Sequence, residues 1–355
     1  MDLKRWLLSL VVMLALSAPF APAPAQAALP PGNAVKDPSA ILRNALPINQ
    51  PELQDLQHRL ESTSDDLRAK RWSALTNTVR RGQTLFSSQR QTIAKSLPDP
   101  AKAEALLEQL NTQLQAVTEA AEVNDRDAFL AARRTALSSI GLLEDQLVGS
   151  FPFEIPSEFD ALPRLLGRAT VAIETTQGTL TAVVDGYNAP LTAGAFVDLV
   201  QKGFYDGLPF TRAEDFYVLQ TGDPKGTETG YIDPKTKAER TVPLEIKVPE
   251  EETPFYNATF EDLGRFTAQP VLPFATLGTL GWAHSDEALD DGSSQFFFFL
   301  YEAELTPAGL NLVDGRYSAF GYVVDGFDVL EELGITDGIV TAKVIEGASN
   351  LQAHA

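Results

Sequence analysis

The chain has 355 residues, 44% of them hydrophobic and 21% charged, with no cysteine and a formal net charge of -20. This composition excludes a disordered polymer and leaves apolar material for two ordinary domains, and the missing cysteine excludes disulfides, thiolate nucleophiles and zinc-cysteine sites. The acidity is uneven: residues 28–165 carry 15 Lys and Arg against 18 Asp and Glu, and residues 166–355 carry 11 against 29, so the clustered cations that a nucleic-acid partner requires are missing.

In chain order, residues 1–27 join Lys4 and Arg5 to an apolar run from Trp6 to Phe20 and a small-residue end at Ala25-Gln26-Ala27. That is the layout of a secretory signal peptide, with cleavage expected after Ala27. The run is shorter than the ~20 residues of a spanning helix, and no later segment is suited to cross a bilayer. An exported chain is expected. His58, His284 and His354 are too scattered for a metal site.

Residues 28–150 are rich in Ala, Leu, Gln, Glu and Arg and read as a helical domain, with Pro51, Pro98 and Pro100 marking changes of helix. Helices are expected over 51–61, 65–96, 100–122 and 125–149. In the third, Leu106, Leu110, Leu114 and Val117 form one apolar stripe. Short connections at 96–100 and 123–125 favour an up-down bundle. The basic pairs Lys70-Arg71, Arg80-Arg81 and Arg133-Arg134 read as a solvated face, with contact to the acidic C-terminal half as the alternative.

Residues 151–166, with Pro152, Pro156 and Pro163, are expected to form a linker. From 167 to 348 the period changes to two. Strands are expected over 169–175, 178–184, 294–301 and 319–324, and helices from Thr192, as N-cap, to Lys202 and over 327–333. Residues 349–355 are left as a tail. The whole is an α+β multidomain chain. Of Phe296 to Phe299, at least two must be buried in a core strand. The acidic run Asp286, Glu287, Asp290 and Asp291 lacks calcium-loop spacing and reads as solvated, as do Glu250, Glu251 and Glu252.

Several ordered motifs lie in the second half. Ala195 to Val200 is followed by Gly203-Phe204-Tyr205-Asp206-Gly207 and Pro209-Phe210-Thr211-Arg212. Phe216-Tyr217-Val218-Leu219-Gln220-Thr221-Gly222-Asp223 comes next, placing Gln220 eight positions after Arg212. Then follow Gly278 to Ala283, Ser293-Ser294-Gln295-Phe296-Phe297, Asp314-Gly315-Arg316-Tyr317 and Phe320-Gly321. Together they resemble the cyclophilin-type peptidyl-prolyl cis/trans isomerases over nearly all of 168–348.

The resemblance implies a closed antiparallel β-barrel with two helices, and proline-containing protein substrates. Turning an X-Pro bond crosses a barrier of ~18–20 kcal/mol by twisting the amide, which needs no nucleophile, metal or cofactor. It needs an apolar pocket and a fixed donor. The resemblance makes Arg212 the catalytic guanidinium with Gln220 and Gln295 as polar companions. Tyr217, Val218, Phe297 and Val313 become the pocket walls, with Ala283 beside the peptide backbone. His284 is either a backbone contact or a surface loop residue.

Tyr217, Val218 and Leu312 stand where the family usually has Phe, Met and Trp, and Tyr317 replaces a His, as it does in bacterial members. The first three changes are expected to weaken affinity and rate. The loop 285–292 is long and acidic, and residues 230–276 form an enlarged insertion. The order of signal, helical domain and acidic cyclophilin half resembles the thylakoid-lumen cyclophilins of plants and cyanobacteria. That implies a PsbQ-type bundle and a role in photosystem II assembly or repair, with photosystem II subunits among the partners. The rival expectation is a peptide-binding assembly chaperone whose groove the helical domain regulates.

Overall fold

The computed structural model describes residues 36–215, 217–300 and 313–353. The expected signal peptide, Leu312 and His354 lie outside the described residues.

A heptad-like repeat of apolar residues builds the first half. Helices α1 (Pro38–Asn44), α2 (Pro51–Arg68), α3 (Trp72–Ser96), α4 (Pro100–Glu122) and α5 (Arg126–Leu147) follow one another. The last four pack as neighbours in the order α2, α3, α4, α5, with α5 returning to α2. Leu56 and Leu60, Leu75 and Val79, Leu107 and Leu114, and Ile140 and Leu143 are fully buried among them. This is the expected up-down bundle.

Three details differ from the reading of the sequence. The helix expected to end at 61 runs on to Arg68, because Ser62 and Thr63 turn their hydroxyls back onto the carbonyls of Arg59 and Leu60 and so do not cap a new helix. The break comes at Lys70, whose φ of 55° reverses the chain. The buried stripe of α4 uses Leu107, not the half-buried Leu106. Helix α1 was not expected; seven residues are too few to show a period, and Asp37 caps it by accepting from the Ser39 amide at 2.9 Å.

Alternation with period two builds the second half. Strands β1 (Arg164–Leu165), β2 (Arg168–Thr175), β3 (Thr179–Asp185), β4 (Arg212–Glu214), β5 (Val218–Thr221), β6 (Glu245–Ile246), β7 (Phe255–Tyr256), β8 (Thr279–Trp282), β9 (Phe296–Phe299), β10 (Ser318–Asp325), β11 (Ile339–Glu346) and β12 (Leu351–Gln352) occur with helices α6 (Pro190–Gln201) and α7 (Phe327–Glu332). Eight of them form one antiparallel sheet in the order β11, β2, β3, β10, β8, β9, β5, β4. A bridge between Pro209 and Gly338 draws its two ends together. Ala169, Val171 and Ile173 of β2 and Leu180, Ala182 and Val184 of β3 point into the core. Within residues 151–166, β1 pairs with β12, so Leu165 lies opposite Leu351.

Helix α6 is buried almost all round. It begins at Pro190, two residues before the expected Thr192 cap, and its N-terminus is satisfied from far along the chain. The Glu245 carboxylate accepts from the amides of Leu191 and Thr192 at 3.1 and 3.0 Å and from the Thr192 hydroxyl at 3.0 Å. An anion at a helix N-terminus is favoured. Burial nonetheless pushes the Glu245 carboxyl up to about 7 against those bonds. Arg240 reaches from the same insertion to Asp198 and to the carbonyl of Ala195, so two charged side chains clamp residues 230–276 to α6.

Helix α1 links the halves. Ile41, Leu42 and Ala45 belong to the apolar core of the sheet. Asn188 donates to the Ala45 carbonyl at 2.9 Å, and Arg168 donates to the Leu42 carbonyl while pairing with Asp185 at 2.7 Å. Beside these contacts lies a cleft of about 1050 Å³ lined by both halves, including Arg133, Leu137, Tyr187 and Phe327.

Candidate active site

Strands β4, β5, β9 and β8 lie side by side, and their register sets Arg212 opposite Gln220, Gln220 opposite Phe297, and Phe297 opposite Gly281. Directly opposed residues of an antiparallel pair share a face. One row therefore carries a guanidinium, a carboxamide and an aromatic ring, although these residues are up to 85 positions apart. Two residues along each strand a parallel row holds Glu214, Val218, Phe299 and Thr279 on the same face.

Local contacts fix each member. Gln220 donates to the Gln295 carboxamide oxygen at 2.7 Å, and Gln295 donates onward to the Thr229 carbonyl at 2.9 Å. Phe297 is seated over bare backbone: a Cβ on Gly281 would lie 2.2 Å from its Cζ. Tyr317 meets its ring edge-on at 5.5 Å. Val218 and Val313 are buried, Tyr217 is half-buried with its ring 6.2 Å from that of Phe299, and the Ala283 amide donates to the Gln295 carbonyl at 3.0 Å. His284 stacks on Tyr317 at 4.7 Å, with its ring nitrogens 2.7 and 2.9 Å from the carbonyls of Ser285 and Arg316. The Tyr317 hydroxyl is held above its ordinary pKa first by burial, then by Asp286 and Tyr217, with Arg212 and Arg316 opposing.

All four phenylalanines of β9 are buried. Phe296 and Phe298 face inward, against Phe196 and Phe210 respectively. Phe297 and Phe299 face outward and are covered by Phe274 of the insertion, stacked on Phe297 at 5.8 Å and edge-on to Phe299 at 5.5 Å. The Asp314 carboxylate anchors Phe274 by accepting from its amide at 2.7 Å.

Arg212, by contrast, sits on the edge strand with half of its side chain exposed. Its Nε donates to one oxygen of Glu214 at 2.7 Å, and Nη2 lies 2.6 Å from the same oxygen in an ion pair. Glu214 and Phe274 were missed in the sequence. The spacing of two from Arg212 on a strand was a usable signal for Glu214, whereas nothing local marks Phe274. Leu312 lies outside the described residues. Asp291 and Ser285 brace the acidic loop by side-chain bonds to its backbone: Asp291 accepts from the Ser285 amide and the Ser285 hydroxyl from the Ala288 amide. Glu251 is not simply solvated, since it pairs with Arg265, and the carbonyls of Glu251 and Glu252 accept from Lys247. Among the described residues no group of three or more His, Asp or Glu is placed to hold a metal ion, and no helix is long and apolar enough to cross a membrane.

Residues 170–348 match the cyclophilin-type peptidyl-prolyl cis-trans isomerase family, and residues 37–148 match the PsbQ-like domain described for isomerases like CYP38. The chain is 52% identical to a Synechocystis protein that carries the name of a thylakoid lumen peptidyl-prolyl cis-trans isomerase, over 91% of this chain and 86% of the relative. It is 40% identical to the chloroplastic isomerase CYP38 of Arabidopsis thaliana, over 90% of this chain and 76% of that one, and 29% identical to the chloroplastic CYP37 of the same plant, over 94% and 75%.

Proposed function

Because the chain belongs to the cyclophilin-type peptidyl-prolyl cis-trans isomerases that carry a PsbQ-like domain, we propose that it turns X-Pro bonds of proteins in the thylakoid lumen, with Arg212 as the donor. The observation that carries this reading is the row of Arg212, Gln220 and Phe297 set by strand register. A proline ring packed near Phe297, Val218, Val313 and Tyr317 would present its amide toward the guanidinium. There a hydrogen bond to the twisted amide is worth more than one to the planar ground state, and that difference lowers the barrier. Gln220 and Gln295 contribute fixed dipoles, and Ala283 with His284 borders the path of the peptide. No step uses a nucleophile or cofactor. The lumenal location rests on the relatives' names, and the link to photosystem II assembly or repair on the PsbQ-like match.

A second reading is a peptide-binding assembly chaperone. It is favoured by one observation: Phe297 is only 4% exposed beneath Phe274 and Tyr317, which leaves little ring for a substrate proline. NMR exchange spectroscopy on a proline tetrapeptide separates the two. The intact protein is expected to speed isomerisation and Arg212→Ala to lower kcat/KM by about 100-fold or more, the scale of removing one transition-state donor. Peptide binding without any rate above the uncatalysed one establishes the chaperone instead.

A further inference from the structure

Arg212 and Glu214 stand two apart on β4, so the pleat alone sets their side chains on one face, next to each other. The contact is more committed than adjacency requires. Nε donates to Glu214 and Nη2 closes on the same carboxylate oxygen, and each side chain is half exposed. A guanidinium neutralised in this way is a weaker donor to a developing lone pair, because its charge is already compensated by a carboxylate at contact distance.

The surroundings decide what could relieve that pairing. Asp286 acts electrostatically on the same Tyr317 hydroxyl as Arg212 does, and the half of the chain that holds the groove carries 29 acidic against 11 basic residues. Such a field concentrates cations at the groove and repels anions. A Lys or Arg side chain arriving with the substrate can bind the Glu214 carboxylate in place of Arg212, and the exchange costs no net ion pair.

Resting on the isomerase reading, we propose that Glu214 is the specificity-determining residue of the groove: it restrains Arg212 in the free protein and is handed over to a basic side chain flanking the substrate proline. The preferred substrates are then X-Pro segments with Lys or Arg next to the proline. Glu214 acts through Arg212 and is a positioning residue.

The test measures isomerisation by NMR exchange on paired tetrapeptides that differ only in Lys or Ala beside the proline, in intact wild type, Glu214→Gln and Glu214→Asp. In the wild type kcat/KM is expected to be about three- to ten-fold higher for the Lys peptide, combining an exposed ion pair with the acidic field. In Glu214→Gln the ratio falls toward one because kcat for the Ala peptide rises about two- to five-fold with KM little changed. Glu214→Asp keeps the preference. Added salt raises wild-type kcat on the Ala peptide by screening the pair and leaves Glu214→Gln unmoved. A wild-type ratio near one, an unchanged ratio in Glu214→Gln, or a fall in its kcat overturns the proposal while isomerisation stands. If neither wild type nor Glu214→Gln exceeds the uncatalysed rate, the isomerase reading fails and takes the proposal with it.

Discussion

The bundle and the sheet bury their apolar residues by opposite routes, the sheet's core being about twice as large. In the bundle each helix contributes residues three and four apart, as Leu107, Leu110, Leu114 and Val117 do, and every neighbour in sequence is also a neighbour in space. In the sheet, adjacent strands such as β2 and β11 or β5 and β9 come from distant parts of the chain. A bundle built this way can tolerate exchange of one apolar residue for another and offers no fixed constellation. A register locked by eight strands places unlike groups in one row, as it does Arg212, Gln220 and Phe297.

The contrast can be broken most forcefully in the bundle. Phe86 is 1% exposed among the helices, and Phe86→Ala is expected to cost about 3–5 kcal/mol. Hydrogen exchange should show the loss in α2 to α5 while protection in β8 and β9 and the isomerisation rate stay near wild type. A parallel loss in the sheet would mean that the halves unfold as one.

The next effect concerns two buried carboxylates. Glu144 of α5 is fully buried with both oxygens unpaired, and desolvation pushes it up to about 8, whereas Glu245 has hydrogen-bond partners and reaches about 7. Both folded values exceed the unfolded 4.5, so the folded state holds extra protons and stability falls as pH rises from about 4.5. For Glu144 the fall continues to about 8. Melting temperatures from pH 5 to pH 8 should drop less for Glu144→Gln than for wild type; identical slopes would show that Glu144 gains a partner or water.

The smallest effect falls on the site. Gly281→Ala drives a Cβ toward the Phe297 ring and is expected to cost about 1–3 kcal/mol. Because that ring anchors the row, peptide turnover should fall about ten-fold or more with bundle protection unchanged. Unaltered turnover would remove Phe297 from the working pocket.

The bundle's architecture was legible because its signals are local: the apolar stripe, Pro100 at the start of α4 and the turn at Asn124, whose φ is 56°. What misled was equally local. Ser62 and Thr63 look like helix boundaries but bond within α2, and Thr192 looks like a cap whose place Glu245 takes from 53 residues away. In the site, the motif order around Arg212, Gln220 and Phe297 could be read by resemblance, and strand period explains their shared face. The covering by Phe274 could not, since it depends on how the insertion is clamped through Arg240 and Glu245. Period two would have exposed Glu214 had it been applied to β4 itself.

The pairing of β2 with β11 and of β1 with β12 also sets a timetable. The helical repeat comes first along the chain, and its helices can collapse against their sequence neighbours without waiting for later residues. The strand at Arg168–Thr175 must wait for Ile339–Glu346, about 170 residues later, and a closure that spans so much chain is slow to find. Until then β2 presents an open edge of unpaired amides and carbonyls, with Val171 and Ile173 uncovered beside it.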